Sequence, residues 1–87
     1  MHYFEIRDHL DKIFEKIGKK NKKQLEIIHN KIAEVIRNPQ HYKNLRSPLQ
    51  HLKSVHIDKS FVLLFSVDDN LKKVTFEEFD HHDRIYK

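Results

Sequence analysis

One uninterrupted apolar segment constrains the fold of this chain more than any other feature. Residues 61–67 read Phe-Val-Leu-Leu-Phe-Ser-Val, and polar turn sequences stand on both sides of them, at residues 58–60 and 68–70. A short segment that is apolar at consecutive positions is typical of a strand buried on both faces. We therefore predict that residues 61–67 form the central strand of a sheet, with the chain segments before and after it as its neighbours.

The two flanking segments alternate apolar and polar residues, as strands with two different faces do. Within residues 53–57, Lys53 lies on one face and His56 on the other. Residues 73–79 alternate in the same way, and residues 68–70 connect them to the central strand as a hairpin. Together the three segments predict a mostly antiparallel sheet.

Two amphipathic helices are predicted before the sheet. The first begins at Asp8 as N-cap and ends at Gly18 as a left-handed cap, and the second begins at Asn21 and ends before residues 38–39, Asn-Pro. Helical spacing of apolar residues is shown by Leu10, Ile13, Phe14 and Ile17 in the first helix and by Leu25, Ile28, Ile32 and either Val35 or Ile36 in the second. A short connection between them predicts an antiparallel helical hairpin.

The order of these elements predicts an α+β fold. Residues 2–7 form an N-terminal strand, and the helical hairpin packs on one face of the small, mostly antiparallel sheet. Residues 38–52 are irregular and are held to the body by a few apolar side chains. We expect residues 1–87 to form one domain.

Composition narrows the possible partners. Seventeen Lys and Arg against thirteen Asp and Glu leave a net charge of +4, to which eight histidines can add below neutral pH. This balance favours a polyanionic partner, either nucleic acid or an acidic protein segment.

The absence of cysteine excludes a disulfide framework and a thiolate zinc site. With no apolar stretch of membrane-spanning length and no signal-peptide core, we expect a cytoplasmic protein without membrane association.

The tail, residues 80–86, concentrates reactive side chains. If it is extended, His82, Arg84 and Tyr86 project from one face, because side chains alternate along a strand, and Ile85 anchors the opposite face in the core. A histidine, a fixed cation and a phenol on one surface suit chemistry on a phosphodiester. The alternative is a solvated extension in which Ile85 and Tyr86 only seal the core.

Histidine also raises the possibility of a metal site, which the spacing disfavours. His81 and His82 are adjacent, so a strand directs them to opposite faces and away from a shared ion. We therefore expect neither a metal nor another cofactor.

Three segments, in this order, resemble the RelE/ParE superfamily of toxins from toxin–antitoxin modules. They are the loop at residues 44–49, the hairpin at residues 55–65 and the ending at residues 81–86, and the likeness covers nearly the whole chain. The resemblance implies a RelE-like, microbial-ribonuclease-like fold. It also implies a small endoribonuclease that cuts messenger RNA, typically at the ribosome, and so inhibits translation.

The resemblance also implies a partner and an alternative function. The partner is an acidic, RelB-like antitoxin, often in an assembly of two toxins and two antitoxins. The superfamily contains ParE-like members that bind DNA gyrase, so a non-nucleolytic toxin is the alternative. A basic RNA-binding domain is a third interpretation.

Within the superfamily, the pattern is most similar to the histidine-using branch typified by YafQ. In that branch a histidine precedes the central turn, an aromatic follows it, and a second histidine lies four residues before a terminal aromatic. His56, Phe61, His82 and Tyr86 occupy these positions here. The resemblance and the grouping of the tail together predict His82, His56, Arg84 and Tyr86 as catalytic residues.

The chain departs from the family pattern at three positions. Val62 stands where RelE has an arginine, Ser60 where the YafQ-like branch has an aspartate, and Ser47 where that branch has a histidine. Asp58 and His51 are candidates to take over the missing functions, and we assign Asp58 to substrate binding.

The chemistry of RNA cleavage defines the remaining candidates. Without a metal, the reaction needs a base for the 2′-hydroxyl proton and an acid for the leaving 5′-oxygen, roles that histidine suits near neutral pH. It also needs cations for the phosphate, and Lys53, Arg46 and Arg84 are the nearest ones. Phe61 or Tyr86 is expected to stack on a base.

Overall fold

The chain folds into a helical hairpin packed on a four-stranded sheet. A computed structural model describes residues 2–85. Its elements, in chain order, are β1 (Tyr3–Ile6), α1 (Asp8–Lys20), α2 (Lys22–Arg37), a 3₁₀ turn (Pro39–His41), β2 (Lys53–Ile57), β3 (Phe61–Asp68), β4 (Lys73–His81) and α3 (His82–Ile85). No helix within residues 2–85 combines the length and the apolar character needed to cross a membrane.

The apolar run forms the strand that organises the sheet. The strand order is β1-β4-β3-β2, so β3 has β2 and β4 as its neighbours, as predicted. Both of those pairings are antiparallel, and β1 pairs in parallel with β4. Residues 62–65 are all buried, because the helices cover one face of β3 and other segments cover the opposite face.

The main core lies between the helical hairpin and the sheet. Both helices contribute their apolar stripes, and the strands contribute the residues that alternate towards them; the buried members are Leu10, Phe14, Ile28, Ile32, Val35, Ile36, Val55, Ile57, Leu63, Phe65, Val74, Phe76 and Phe79. The predicted α+β architecture, with the hairpin on one face of a mostly antiparallel sheet, is therefore confirmed.

A second, smaller apolar cluster lies on the other face of the sheet, here called the open face. Its buried residues are Leu52, Val62 and Leu64, and Leu45, Leu49 and Ile85 pack against them. The irregular segment between the 3₁₀ turn and β2 thus covers one end of the open face together with α3. The irregular segment and α3 therefore lie next to each other on the open face.

The predicted helix ends are partly wrong. Asn21 does cap α2, since its side chain accepts a hydrogen bond from the Gln24 amide at 3.0 Å. Asp8, however, is the first helical residue rather than the N-cap, and α1 continues through Gly18 to Lys20. A Cβ atom at Gly18 would lie 2.8 Å from Leu25 Cδ2. The glycine therefore permits the close approach of the two helices and does not end the first one.

The extended tail is also wrong. β4 continues to His81, and residues 82–85 form the helical turn α3. Because each helical residue rotates the chain by about 100°, His82 and Arg84 point in nearly opposite directions, whereas His82 and Ile85 share a side. The turn lets Ile85 reach the second apolar cluster, which an extended chain would leave behind. Tyr86 lies outside the described residues.

Candidate active site

Two predicted site residues, His56 and His82, meet on the open face. His56 is exposed on the face of β2 that the helices do not cover, as the strand alternation predicted. The His82 amide donates a hydrogen bond of 2.7 Å to the Ser60 carbonyl, which fixes the start of α3 beside the β2–β3 turn. The two imidazole rings stack with their centroids 5.8 Å apart and their planes at 27°. The tail therefore does place its histidine next to His56, although through a helical turn.

His81 points away from this pair. Its ring meets the edge of Phe61 with a centroid distance of 5.6 Å, and its Nδ1 accepts a hydrogen bond from the Asp83 amide at 3.2 Å. Because it ends the strand and His82 begins the helix, the two neighbours diverge. His81 is thus a natural control for His82.

Phe61 lies on the side of the sheet opposite His56. It pairs with His81 across the β3–β4 ladder and stacks on Phe79 at 5.3 Å, which in turn packs edge-on against Phe14 of α1. Paired strand residues point to the same face, so Phe61 faces the helices. The expectation that it stacks on an RNA base beside the two histidines does not fit this placement.

Lys53 is buried, with 9% of its surface exposed. Its ammonium donates hydrogen bonds to the Tyr42 carbonyl at 2.9 Å and to Asn44 Oδ1 at 3.0 Å. Asn44 in turn donates from Nδ2 to the Gln50 carbonyl at 2.8 Å. The charge therefore braces the loop from inside the protein, and this position does not suit direct contact with an RNA phosphate.

The two candidate arginines have different surroundings. Arg84 is exposed and forms an ion pair of 3.6 Å with Asp80. Arg46 is exposed in the loop, and no carboxylate among residues 2–85 lies within ion-pair distance of its guanidinium. Of the three predicted cations, Arg46 is therefore the one whose charge is not already engaged in the described part of the chain.

A cleft separates the loop from α3, and the sequence did not reveal it. This loop cleft has a volume of about 540 Å³ and is lined by residues 44–49 on one side and by Ile85 on the other. Ile85 follows His82 by three residues and shares its side of the helical turn. Beneath the cleft, Val62 pairs directly with His56 in the β2–β3 ladder. The loop cleft therefore adjoins the histidine pair.

The positions that depart from the family pattern have clear structural roles. Val62 is fully buried under Ile85, the Ser60 carbonyl holds the His82 amide, and Ser47 lines the loop cleft. Asp58 is exposed in the β2–β3 turn, where its φ of 57° lies in the left-handed region that aspartate tolerates. Its assignment to substrate binding stays a prediction.

A polar network at the other end of the open face was not predicted. Glu77 accepts hydrogen bonds from Arg7 Nε at 2.8 Å and from Ser66 Oγ at 2.7 Å. Burial, the largest influence, raises the pKa of this carboxyl, but the bonds from Arg7 and Ser66 and the charge of Arg7 together lower it below its ordinary value of 4.5. Glu77 is the extra residue at a bulge between β3 and β4, and a bulge leaves no signal in the strand alternation.

The described residues offer no metal centre. Within residues 2–85, no three His, Asp or Glu side chains are grouped so that they could hold one ion.

Similar solved structures show where else this fold occurs. A heterotetrameric YoeB–YefM toxin–antitoxin complex from Staphylococcus aureus contains a chain that matches with a TM-score of 0.75 at 17% identity, covering 94% of this chain and 98% of that one. YafQ from Escherichia coli strain BL21(DE3) matches with a TM-score of 0.72 at 18% identity over 100% of both chains. At these identities the likeness establishes the fold, which is that of RelE/ParE superfamily toxins.

Sequence comparison then gives the family. The family described as ParE toxin of type II toxin–antitoxin system, parDE, matches residues 5–86. A Methanocaldococcus jannaschii protein that carries the name of a candidate toxin, RelE4, is 58% identical over 87 residues, which are 100% of this chain and 93% of that protein. The chain belongs to the ParE toxin family, and the resemblance inferred from its three segments is confirmed.

Proposed function

We propose that this toxin is an endoribonuclease that cleaves messenger RNA at the ribosome, without a metal ion, and so inhibits translation. The observation that carries the proposal is the stacking of His56 on His82, with ring centroids 5.8 Å apart. The pair lies on the face of the sheet that α1 and α2 leave open. Two accessible imidazoles at this separation can serve two oxygens on one phosphate. The net charge of +4 favours approach of the RNA.

The two imidazoles supply both proton transfers of the reaction. One takes the proton of the 2′-hydroxyl, and the 2′-oxygen then attacks the phosphorus. The bond between phosphorus and the 5′-oxygen breaks, and the other imidazole gives that oxygen a proton. The products are a 2′,3′-cyclic phosphate and a free 5′-hydroxyl, so the reaction needs no further reactant.

Arg84 and Tyr86, the other two predicted catalytic residues, also belong to this proposal. Arg84 belongs to the same helical turn as His82, but it contacts a departing phosphate only after leaving Asp80. Tyr86 follows α3 directly in sequence, and its proposed role rests on the resemblance alone.

We also propose that an acidic, RelB-like antitoxin is the partner of this chain, in an assembly of two of each. The similar Staphylococcus aureus structure is a heterotetramer of toxin and antitoxin. Here the surplus of four positive charges suits a partner of opposite sign. Coupled folding of such a chain on the toxin would bury its apolar residues and set its carboxylates against lysines at the edge of the contact.

The family description supports a second candidate function. ParE-like toxins that bind DNA gyrase act without cutting RNA, and the family to which this chain belongs is described as ParE. The two functions leave different products, so one experiment separates them.

The experiment adds the purified toxin to a translating extract that contains one defined message and, separately, to a DNA gyrase supercoiling assay. Discrete cuts in the message, mapped by primer extension and ending in 2′,3′-cyclic phosphates, are the expected result, with gyrase unaffected. An intact message together with arrested gyrase would overturn the nuclease proposal in favour of the second function.

A further inference from the structure

The loop cleft beside the histidine pair has the size and the lining of a site for a group with an apolar face. Its volume of about 540 Å³ exceeds that of a few water molecules and falls in the range of small-molecule sites. Leu45, Pro48 and Leu49 on the loop and Ile85 on α3 give it apolar walls. Apolar walls would strip water from a phosphate and offer it no hydrogen bonds in return, so binding a phosphate there is unfavourable. The same walls suit the face of a nucleobase.

The loop wall is braced, so the cleft is built before any ligand arrives. The buried Lys53 ammonium holds both the Tyr42 carbonyl and the Asn44 side chain. Asn44 also bonds to the Gln50 carbonyl, and the Leu45 amide donates to the Leu52 carbonyl at 2.8 Å. A wall fixed at several points can present its side chains in one geometry, which selective binding requires.

Among the described residues that line the cleft, Arg46 is the one with a charged side chain. Elsewhere in the described residues, Arg7 is engaged with Glu77, and Arg84 with Asp80. Arg46 has no carboxylate partner within residues 2–85, so its donors are available to a ligand. A guanidinium offers two parallel donors, which match a pair of adjacent acceptors in one plane.

We propose that the loop cleft binds one base of the RNA substrate next to the cleaved phosphate, and that Arg46 selects guanine there. Guanine presents O6 and N7 as adjacent acceptors, whereas adenine presents a donor in place of O6. The cleft adjoins His82 through the shared turn of α3, so the bound base belongs to a nucleotide near the cut. The proposal rests on the proposed function in that it takes RNA as the substrate.

The first test measures cleavage, on ribosomes, of short messenger RNAs that differ at one position near the cut. Replacing guanine by adenine there is expected to lower kcat/KM by roughly 5- to 150-fold, the value of one good bidentate contact. Arg46→Gln is expected to abolish this discrimination, so that the guanine and adenine substrates are cleaved with equal kcat/KM. Lys43→Gln is the matched control, because Lys43 is an exposed cation close to the same loop, and it should keep the discrimination.

Two outcomes of this test would overturn the proposal. If the Arg46→Gln variant still prefers the guanine substrate, Arg46 does not select the base. A uniform loss of affinity for all sequences, with the salt dependence of binding reduced by about one unit of slope, would make Arg46 a phosphate contact instead.

A second measurement separates this proposal from the proposed function. Guanosine and adenosine 5′-monophosphates are titrated against toxin labelled at the Ile85 methyl groups, and shifts are followed by NMR. Guanosine monophosphate is expected to shift Ile85 at lower concentration than the adenosine compound, with the difference lost in Arg46→Gln. If the protein shows this difference but cuts no RNA, the proposal for the cleft stands and the proposal that the toxin is a nuclease is refuted. RNA cleavage with an unmoved Ile85 would refute the cleft alone.

Discussion

Glu77 illustrates how one carboxylate can link the first strand to the last. It bonds to Arg7, which follows β1, and to Ser66 of β3, and its pKa lies below the ordinary value because these bonds and the charge of Arg7 outweigh its burial. A carboxyl whose pKa is lower in the folded chain stabilises the fold above its unfolded pKa. That contribution is lost as the pH falls through the folded pKa.

We expect Glu77→Gln to remove this part of the acid sensitivity. The difference in unfolding free energy between the wild type and the variant should be largest near neutrality and should shrink as the pH falls below 4.5. Urea unfolding at a series of pH values measures it. Glu26→Gln, at an exposed helical position with no ion pair in the described chain, is the control and should show a constant difference. A constant difference for Glu77→Gln as well would contradict the assigned network.

Lys53 shows that a predicted phosphate contact can instead be an internal brace. Lys53→Met keeps the length of the side chain but leaves the Tyr42 carbonyl and Asn44 Oδ1 without their donor. We expect a loss of about 1–3 kcal/mol in the free energy of unfolding. The exposed substitution Lys43→Met should stay within about 0.5 kcal/mol of the wild type. Equal effects of the two substitutions would mean that Lys53 braces nothing.

Among the elements, α1 and α2 approach each other closely where Gly18 meets the Leu25 side chain. In an open helix, Gly→Ala stabilises by about 1 kcal/mol, but here the new Cβ would lie 2.8 Å from Leu25 Cδ2. We expect Gly18→Ala to bring less than that gain in the wild type and the full gain in a Leu25→Ala background. Thermal unfolding of the four proteins in this cycle measures the coupling. Additive effects would show that the helices tolerate the methyl group without adjustment.

The long elements could be predicted from sequence because each has a clear period. The apolar spacing of α1 and α2 and the alternation of β2 and β4 reflect burial on one face, so the residues themselves specify the element. Gly18 and α3 could not be predicted in this way. Gly18 looks locally like a helix end, and its role depends on Leu25 of another helix. The turn of α3 depends on Ile85 packing against Val62 and Leu64, contacts that no local pattern records.

At the candidate site, too, local sequence patterns predict some features, whereas others depend on contacts between distant residues. The pairing of His56 with His82 was predictable, because the strand alternation gave the face of His56 and the sheet order brought the tail close. The burial of Lys53 and the turning of Phe61 towards the helices were not, since both depend on partners far away in sequence. The loop cleft likewise arises only when residues 44–49 meet Ile85.

For the molecule as a whole, the tail is where an antitoxin would act on the site. The Ser60 carbonyl and the apolar contacts of Ile85 hold it in place. We therefore expect a bound antitoxin to cover the site and leave α3 where it is. Hydrogen exchange measures this directly: the His82 amide should exchange more slowly in a complex with the proposed antitoxin. Faster exchange of residues 81–85 would mean that the antitoxin displaces the tail.

The most direct measurement compares His82→Ala with His81→Ala in single-turnover cleavage of one ribosome-bound message. The helical turn places His82 against His56 and leaves His81 against Phe61. His82→Ala should lower the rate by about 10²- to 10⁴-fold, as the loss of a general acid or base does, while circular dichroism confirms an unchanged fold. His81→Ala should cut at nearly the wild-type rate. Equal rates for the two variants would contradict the assignment of His82 and His56 as the catalytic pair.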